Sequence, residues 1–339
     1  MRTVSLLTAV AVFFVAPSAA PLRVSLPPLL GAMPIVMGVT WNVFQEEGVE
    51  VEVVPLPSQR DRMLAFQAGE VDMMVTDLAG ALLLVSTLPR EAVIVGTAYA
   101  PDPASPHVAF VTPVAFSRIA TWDEFLARVR GGGRVQIALP RLSDLEFVVD
   151  ELFRAHGLSV SPDLYIGQDN LLVNATWILM GMVAVGVLPQ PYVDYILNFD
   201  FAGKPTLQIL HWVAGADVPP DVIVFRRSLI ESQPDLLPSF FRALRRTVQR
   251  LNTEDRVDLV AVALPVALNL FFPGAGPEAA TPEVRAQMEA AIAAIAIPVF
   301  PEPGPVDRAM YDRVMAWAVA RRYLRAPIPY DAAVISPPG

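Results

Sequence analysis

The 339-residue chain contains no cysteine. That excludes disulfides, a thiolate nucleophile, a thiolate-bound metal and a lipid attached through sulfur. Lysine is almost as rare: among 25 basic residues only Lys204 is a lysine, a bias we read as codon usage rather than arginine chemistry. The three histidines, His107, His156 and His211, are scattered, and no two stand at a metal-ligand spacing such as i, i+4 on one helix. Gly131, Gly132 and Gly133 run into Arg134 and lack the Gly-Lys-Ser/Thr continuation of a phosphate loop, so they read as a helix stop. Neither a metal nor a cofactor is expected. Charged residues make up 17% of the chain and the net charge is −9, which makes nucleic acid a poor partner.

Long membrane-spanning runs are missing too, although 54% of the residues are hydrophobic. Beyond the first 20 residues the longest apolar stretches are 177–188 and 259–272, and Pro265 and Asn269 interrupt the second. Both fall short of the ~20 residues a helical span needs. They read as a buried strand with its preceding helix and as a core helix.

What is present begins with MRTVSLLTAVAVFFVAPSAA: one arginine, a short apolar run, then small residues. This is the pattern of a secretory signal peptide over residues 1–20, and export without a cysteine for lipidation predicts a periplasmic protein with no lipid anchor. The remaining length suits about two domains.

Strand and helix signals then alternate. LRVSL reads as a strand; Pro34 opens a helix in which Ile35, Val39 and Val43 repeat every fourth residue and which Gly48 ends; VEVEVVPL reads as a strand. Ser58 caps a helix with Asp61 three residues on, Gly-Glu-Val-Asp turns the chain at 69–72, and VDMMVT forms a strand that runs into a helix capped by Thr76 or Asp77. The same order recurs from residue 121, where Thr121 with Glu124 and Ser143 with Glu146 make two capping boxes. Such alternation predicts α/β architecture with parallel sheets covered on both faces. Two similar units predict two lobes, and the proline-rich stretches 98–113 and 211–225 are the places to cross between them. The lobes expected are residues 22–105 with 218–339, and 106–217 inserted between.

Several stretches resemble the periplasmic solute-binding proteins of ABC importers, in the branch that binds nitrate, alkanesulfonates, taurine and the pyrimidine precursor of thiamine. They include LRVSLPP, FQEEGVEVEVV, AFQAGEVDMMVTD, TWDEF, FRAHGL, GMVAVGVLPQPYVDYI and MYDRVMAWAVARRYLRAPIPYD, and their order spans nearly the whole chain past residue 20. The resemblance implies a type II periplasmic-binding-protein-like fold, two α/β lobes joined by a two-crossing hinge. It further implies a monomeric binder rather than an enzyme, with a small-molecule ligand and an ABC permease of the inner membrane as its partners. The second unit departs from the family pattern: Gly-Met-Val-Ala at 181–184 and Gln190-Pro191 stand where Gly-Glu-Val-Asp-Ala and Glu-Pro are common.

In such a fold ligands sit at the carboxyl ends of strands, where helix starts offer unpaired N–H groups. The candidate ligand-binding residues are Gln59 and Arg60 after Ser58, Thr76 and Asp77, Arg141, Ser143 and Asp144, Gln190 and Tyr192, with Met33 walling the cleft. Arg60 and Arg141 against Asp77 and Asp144 suit a neutral or zwitterionic ligand. A nitrogenous heterocycle such as a pyrimidine is the first expectation; a sulfonate, taurine or nitrate binder, a biosynthetic enzyme on the same fold, and a ligand sensor are the alternatives.

Overall fold

The computed structural model describes residues 20–56, 58–133, 135–159, 161–199, 205–271 and 281–338. The expected signal peptide lies outside the described residues, except for Ala20.

Residues up to Tyr99 build β1 (Leu22–Ser25), α1 (Met33–Thr40), α2 (Val43–Glu46), β2 (Val51–Val53), α3 (Gln59–Ala68), β3 (Met73–Asp77), α4 (Leu78–Thr87) and β4 (Ala92–Tyr99). The second unit holds β5 (Pro106–Pro113), α5 (Val114–Ser117), α6 (Trp122–Arg130), β6 (Ile137–Ala138), α7 (Asp144–Ala155), β7 (Tyr165–Ile166), α8 (Leu171–Leu179), β8 (Val185–Pro189), α9 (Tyr192–Asn198) and β9 (Leu207–Ala214). The chain then returns through β10 (Asp221–Arg226) and α10 (Arg227–Ser232). It continues into α11 (Leu236–Thr253), α12 (Arg256–Phe271), α13 (Pro282–Ala293), α14 (Arg308–Ala320) and α15 (Tyr330–Ala333).

Two five-stranded sheets result, ordered β2-β1-β3-β10-β4 and β7-β6-β8-β5-β9. The expectation of parallel sheets is met only in part, because β10 runs antiparallel to β3 and β4, and β5 runs antiparallel to β8 and β9. The reason is geometric. Both strands enter directly from a crossing, at the edge where β3 and β8 end, so they must run the opposite way.

Local chemistry shapes the elements that matter here. Ser58 caps α3 by accepting from the Asp61 N–H, and Thr121 and Glu124 close the capping box of α6. The helix expected to run unbroken to Gly48 instead divides at Trp41 and Asn42, because Asn42 takes the left-handed conformation at φ 59°. A second capping box at Ser143 does not form. Ser143 accepts from the Glu146 N–H, but the Glu146 carboxylate accepts from the Leu142 N–H at 2.8 Å and from the Tyr323 hydroxyl.

The C-terminal helices touch elements of both units. Helix α11 packs on α1 and α2, α13 packs on α9, and α14 lies against both α4 and α7. Trp317 and Arg321, at the end of α14, bind the buried Asp150 of α7 and hold it there.

Candidate functional site

At the cleft edge of the first sheet, Asp221 opens β10 with Asp77 opposite it on one side and Tyr99 on the other. Facing them across the cleft are His107 from the start of β5, Pro189 and Gln190 from the end of β8, and Ser143 and Asp144 from the start of α7. A cavity of about 80 Å³ lies between, also lined by Gln59 and Arg62 of α3, Asp169, Leu29 and Leu30.

The two halves clasp each other through reciprocal helix caps. Both oxygens of Asp144 accept from the N–H groups that open α4, Leu78 and Ala79, each at 2.9 Å. In return Asp77 accepts from the Asp144 N–H at 2.9 Å, while its other oxygen accepts from the Gly80 N–H at 3.0 Å and from Gln59 at 2.9 Å. Helix N-termini are natural anion sites, and here the protein's own carboxyls fill them. Gly80 leaves room for this arrangement: a Cβ there would come within 2.3 Å of Gln59 Nε2 and 2.5 Å of Asp77 Oδ1.

Acidic side chains outnumber basic ones in the cavity. Asp77, Asp144, Asp221 and the outlying Asp169 line it, and among the described residues Arg62 is its only lining cation. Burial pushes Arg62 down to about 10, partly countered by Asp77. Burial pushes Asp77 and Asp144 up, and the Asp77 charge adds to the rise at Asp144. Asp221 is pushed up to about 7, first by burial and then by Asp77; a hydrogen bond from the Gly31 N–H and the charge of Arg62 offset part of this. His107 is pushed down to about 4 by burial and stays neutral near pH 7.

A raised carboxyl means that the folded chain holds its proton more tightly than the unfolded chain does. Its stabilising contribution is therefore complete below about pH 4 and is lost as pH rises to about 7. His107 works the opposite way below about pH 6.5, and the difference between wild type and Asp221→Asn cancels its contribution, leaving that of Asp221 and of its effect on Asp144. Urea unfolding is expected to show Asp221→Asn gaining stability relative to wild type between pH 5 and pH 8. An equal difference at both pH values would remove Asp221 from this role.

The structure brings Gln59, Asp77, Ser143, Asp144 and Gln190 together around the cavity. Met33 lines a neighbouring apolar pocket. Thr76 is buried behind the site, its hydroxyl donating to Asp77 at 3.2 Å. Tyr192 is buried at the start of α9, outside the lining. Arg60 is exposed, its backbone N–H on Asp169, and Arg141 is exposed with its guanidinium on the Tyr323 hydroxyl at 3.3 Å. The cation that reaches the cavity is Arg62. Helical phase carries that signal, since Gln59, Arg62 and Phe66 share one face of α3 and Phe66 is fully buried. Asp221 has no comparable signal, because its place depends on the long-range register of β10.

A cleft between two sheets, walled by strand ends from both, defines a two-lobed α/β fold, and solved structures share it. The alkanesulfonate-binding protein SsuA from Xanthomonas axonopodis pv. citri, bound to MOPS, is 14% identical with a TM-score of 0.68, covering 94% of this chain and 99% of that one. The zinc-bound ligand-binding component of an ABC-type import system from Staphylococcus aureus is 14% identical with a TM-score of 0.65, covering 94% and 97%. The periplasmic nitrate-binding protein NrtA from Synechocystis PCC 6803 is 13% identical with a TM-score of 0.59, covering 73% and 66%. No protein-family model matches the chain, and no curated protein matches it in sequence. The likeness shows the fold alone: two α/β lobes, each with a five-stranded sheet, joined by two crossings, as in periplasmic binding proteins. Among the described residues no helix is long and apolar enough to cross a membrane, and no group of three or more His, Asp or Glu could hold a metal.

Proposed function

We propose that this chain is an extracytoplasmic solute-binding protein that captures a small organic molecule between two lobes and delivers it to an ABC permease in the inner membrane. The lobes are residues 22–105 with 218–339, and 106–217. In this reading residues 1–20 direct export to the periplasm, and the protein acts there as a monomer. Ligand contacts from both lobes stabilise only the closed arrangement, so binding shifts a hinge equilibrium toward the form a permease reads.

The observation that carries the ligand class is the excess of carboxyls over guanidinium in the cavity. It suits a nitrogen-bearing ligand rich in hydrogen-bond donors, of which a pyrimidine-like heterocycle is one. Sulfonates and nitrate, bound by proteins of the same fold, would need the helix N-terminal N–H groups that Asp77 and Asp144 occupy. One observation favours a second reading, an enzyme on this fold: Asp221 lines the cavity and burial pushes its carboxyl up to about 7, the range a general base needs.

A thermal-shift screen at pH 8 of organic ammonium compounds, neutral heterocycles, sulfonates and nitrate tests the proposal. Nitrogenous compounds are expected to stabilise the protein, and Asp221→Asn is expected to weaken them about tenfold or more, the loss of one charged hydrogen bond. Stabilisation by sulfonates alone would overturn the ligand class, and chemical conversion of a bound compound, read by mass spectrometry, would favour the enzyme.

A further inference from the structure

Beside the polar cavity lies a second one of about 60 Å³ whose lining side chains are all apolar. The two are neighbours through the same stretch of chain, since Leu29 and Leu30 line both. The turn at Leu30–Ala32 carries a wall of each. Gly31 presses so closely on the carboxyl that a Cβ there would stand 2.4 Å from Asp221 Oδ2, whereas Leu30 and Met33 face the apolar pocket. Ala263 of α12, Ile292 of α13 and Phe300 close its far side. On the opposite flank, Gln190 lines the polar cavity and Pro191 the apolar one.

We infer that the cleft takes an amphipathic ligand, with a cationic nitrogen head beside Asp221 and a short apolar substituent in the pocket under Leu30 and Phe300. This rests on the binding function proposed above and narrows its ligand class. The head follows from the excess of carboxyls in the lining: a cation beside Asp221 favours its ionised form, and among the described residues Arg62 is the only cation that lines the cavity. The substituent follows from the lining: water there finds no polar side chain to bond, so carbon replaces it favourably. The volume is about that of two waters, room for roughly two or three carbon atoms.

Titration calorimetry at pH 8 with n-alkylammonium ions from methyl- to hexylammonium provides the test. Affinity is expected to rise about fourfold per methylene over the first two or three carbons and then to level. Ala263→Leu, which fills the pocket, is expected to abolish the rise. Ile292→Ala, which enlarges it, is expected to carry the rise further and guards against a misfolded Ala263→Leu protein. Asp221→Asn is expected to weaken every member about tenfold or more. Binding of methylammonium or a bare heterocycle with no dependence on chain length would overturn this inference and leave the binding function standing. Failure of every ammonium, heterocyclic and sulfonate probe would overturn both.

Discussion

An Asp150→Ala protein is expected to lose about 3–5 kcal/mol of unfolding free energy, the loss typical of a buried ion pair deprived of one partner. Asp150 is 1% exposed and accepts four hydrogen bonds. Arg321 donates through Nε at 2.5 Å and Nη2 at 2.6 Å, Trp317 through its indole N–H at 2.7 Å, and Tyr165 through its hydroxyl at 2.6 Å. Removing the carboxylate leaves the indole N–H of Trp317 and the hydroxyl of Tyr165 with no acceptor, and leaves the largely buried guanidinium with Glu146 at 3.5 Å as its remaining anionic partner. Domains are stable by only about 5–15 kcal/mol, so the expected loss is a large fraction of the whole. Urea unfolding measures it directly. A change below about 1 kcal/mol would show that α14 is held to α7 by apolar packing, with the ion pair incidental.

Asp144→Ala is the second large effect, and it acts across the cleft. The N–H groups of Leu78 and Ala79 lose their acceptors, and each donor left buried and unpaired costs about 1–3 kcal/mol. Loss of a carboxyl that repels Asp77 offsets part of this. A net loss of about 2 kcal/mol is expected, with the cleft opening so that water reaches α4. Small-angle scattering should show a larger radius of gyration for the ligand-free variant, alongside a lower urea midpoint. A lower midpoint with unchanged dimensions would mean that Asp144 stabilises α4 without holding the lobes together.

The parts of the fold legible in the sequence are those set by neighbours along the chain. Ser58, Asp77 and Thr121 cap the helices their positions predict, because a cap needs only the next three residues. The stretch GEVDMMVTD likewise gives the expected turn and strand: Gly69 is left-handed at φ 79°, and Asp77 ends β3 at the cavity. What was not legible depends on distant partners. By position Asp77 and Asp144 read as ligand contacts, and nothing local shows that each caps the other's helix. Glu146 fits a capping box by spacing, yet Leu142 and Tyr323 take its carboxylate. Asp221 enters the site only because β10 pairs between β3 and β4. Arg141 follows a strand end, the expected place for a cleft residue, but its side chain turns toward Tyr323.

The most direct measurement of the central claim is a crystal structure of the protein with the nitrogenous compound that stabilises it most. The account predicts that compound between the two sheets, its nitrogen within about 3 Å of the Asp221 carboxylate, with Asp77 and Asp144 still capping each other's helices. An anion seated on the N-termini of α4 and α7 with both carboxyls displaced, or a compound bound outside the cleft, would contradict it.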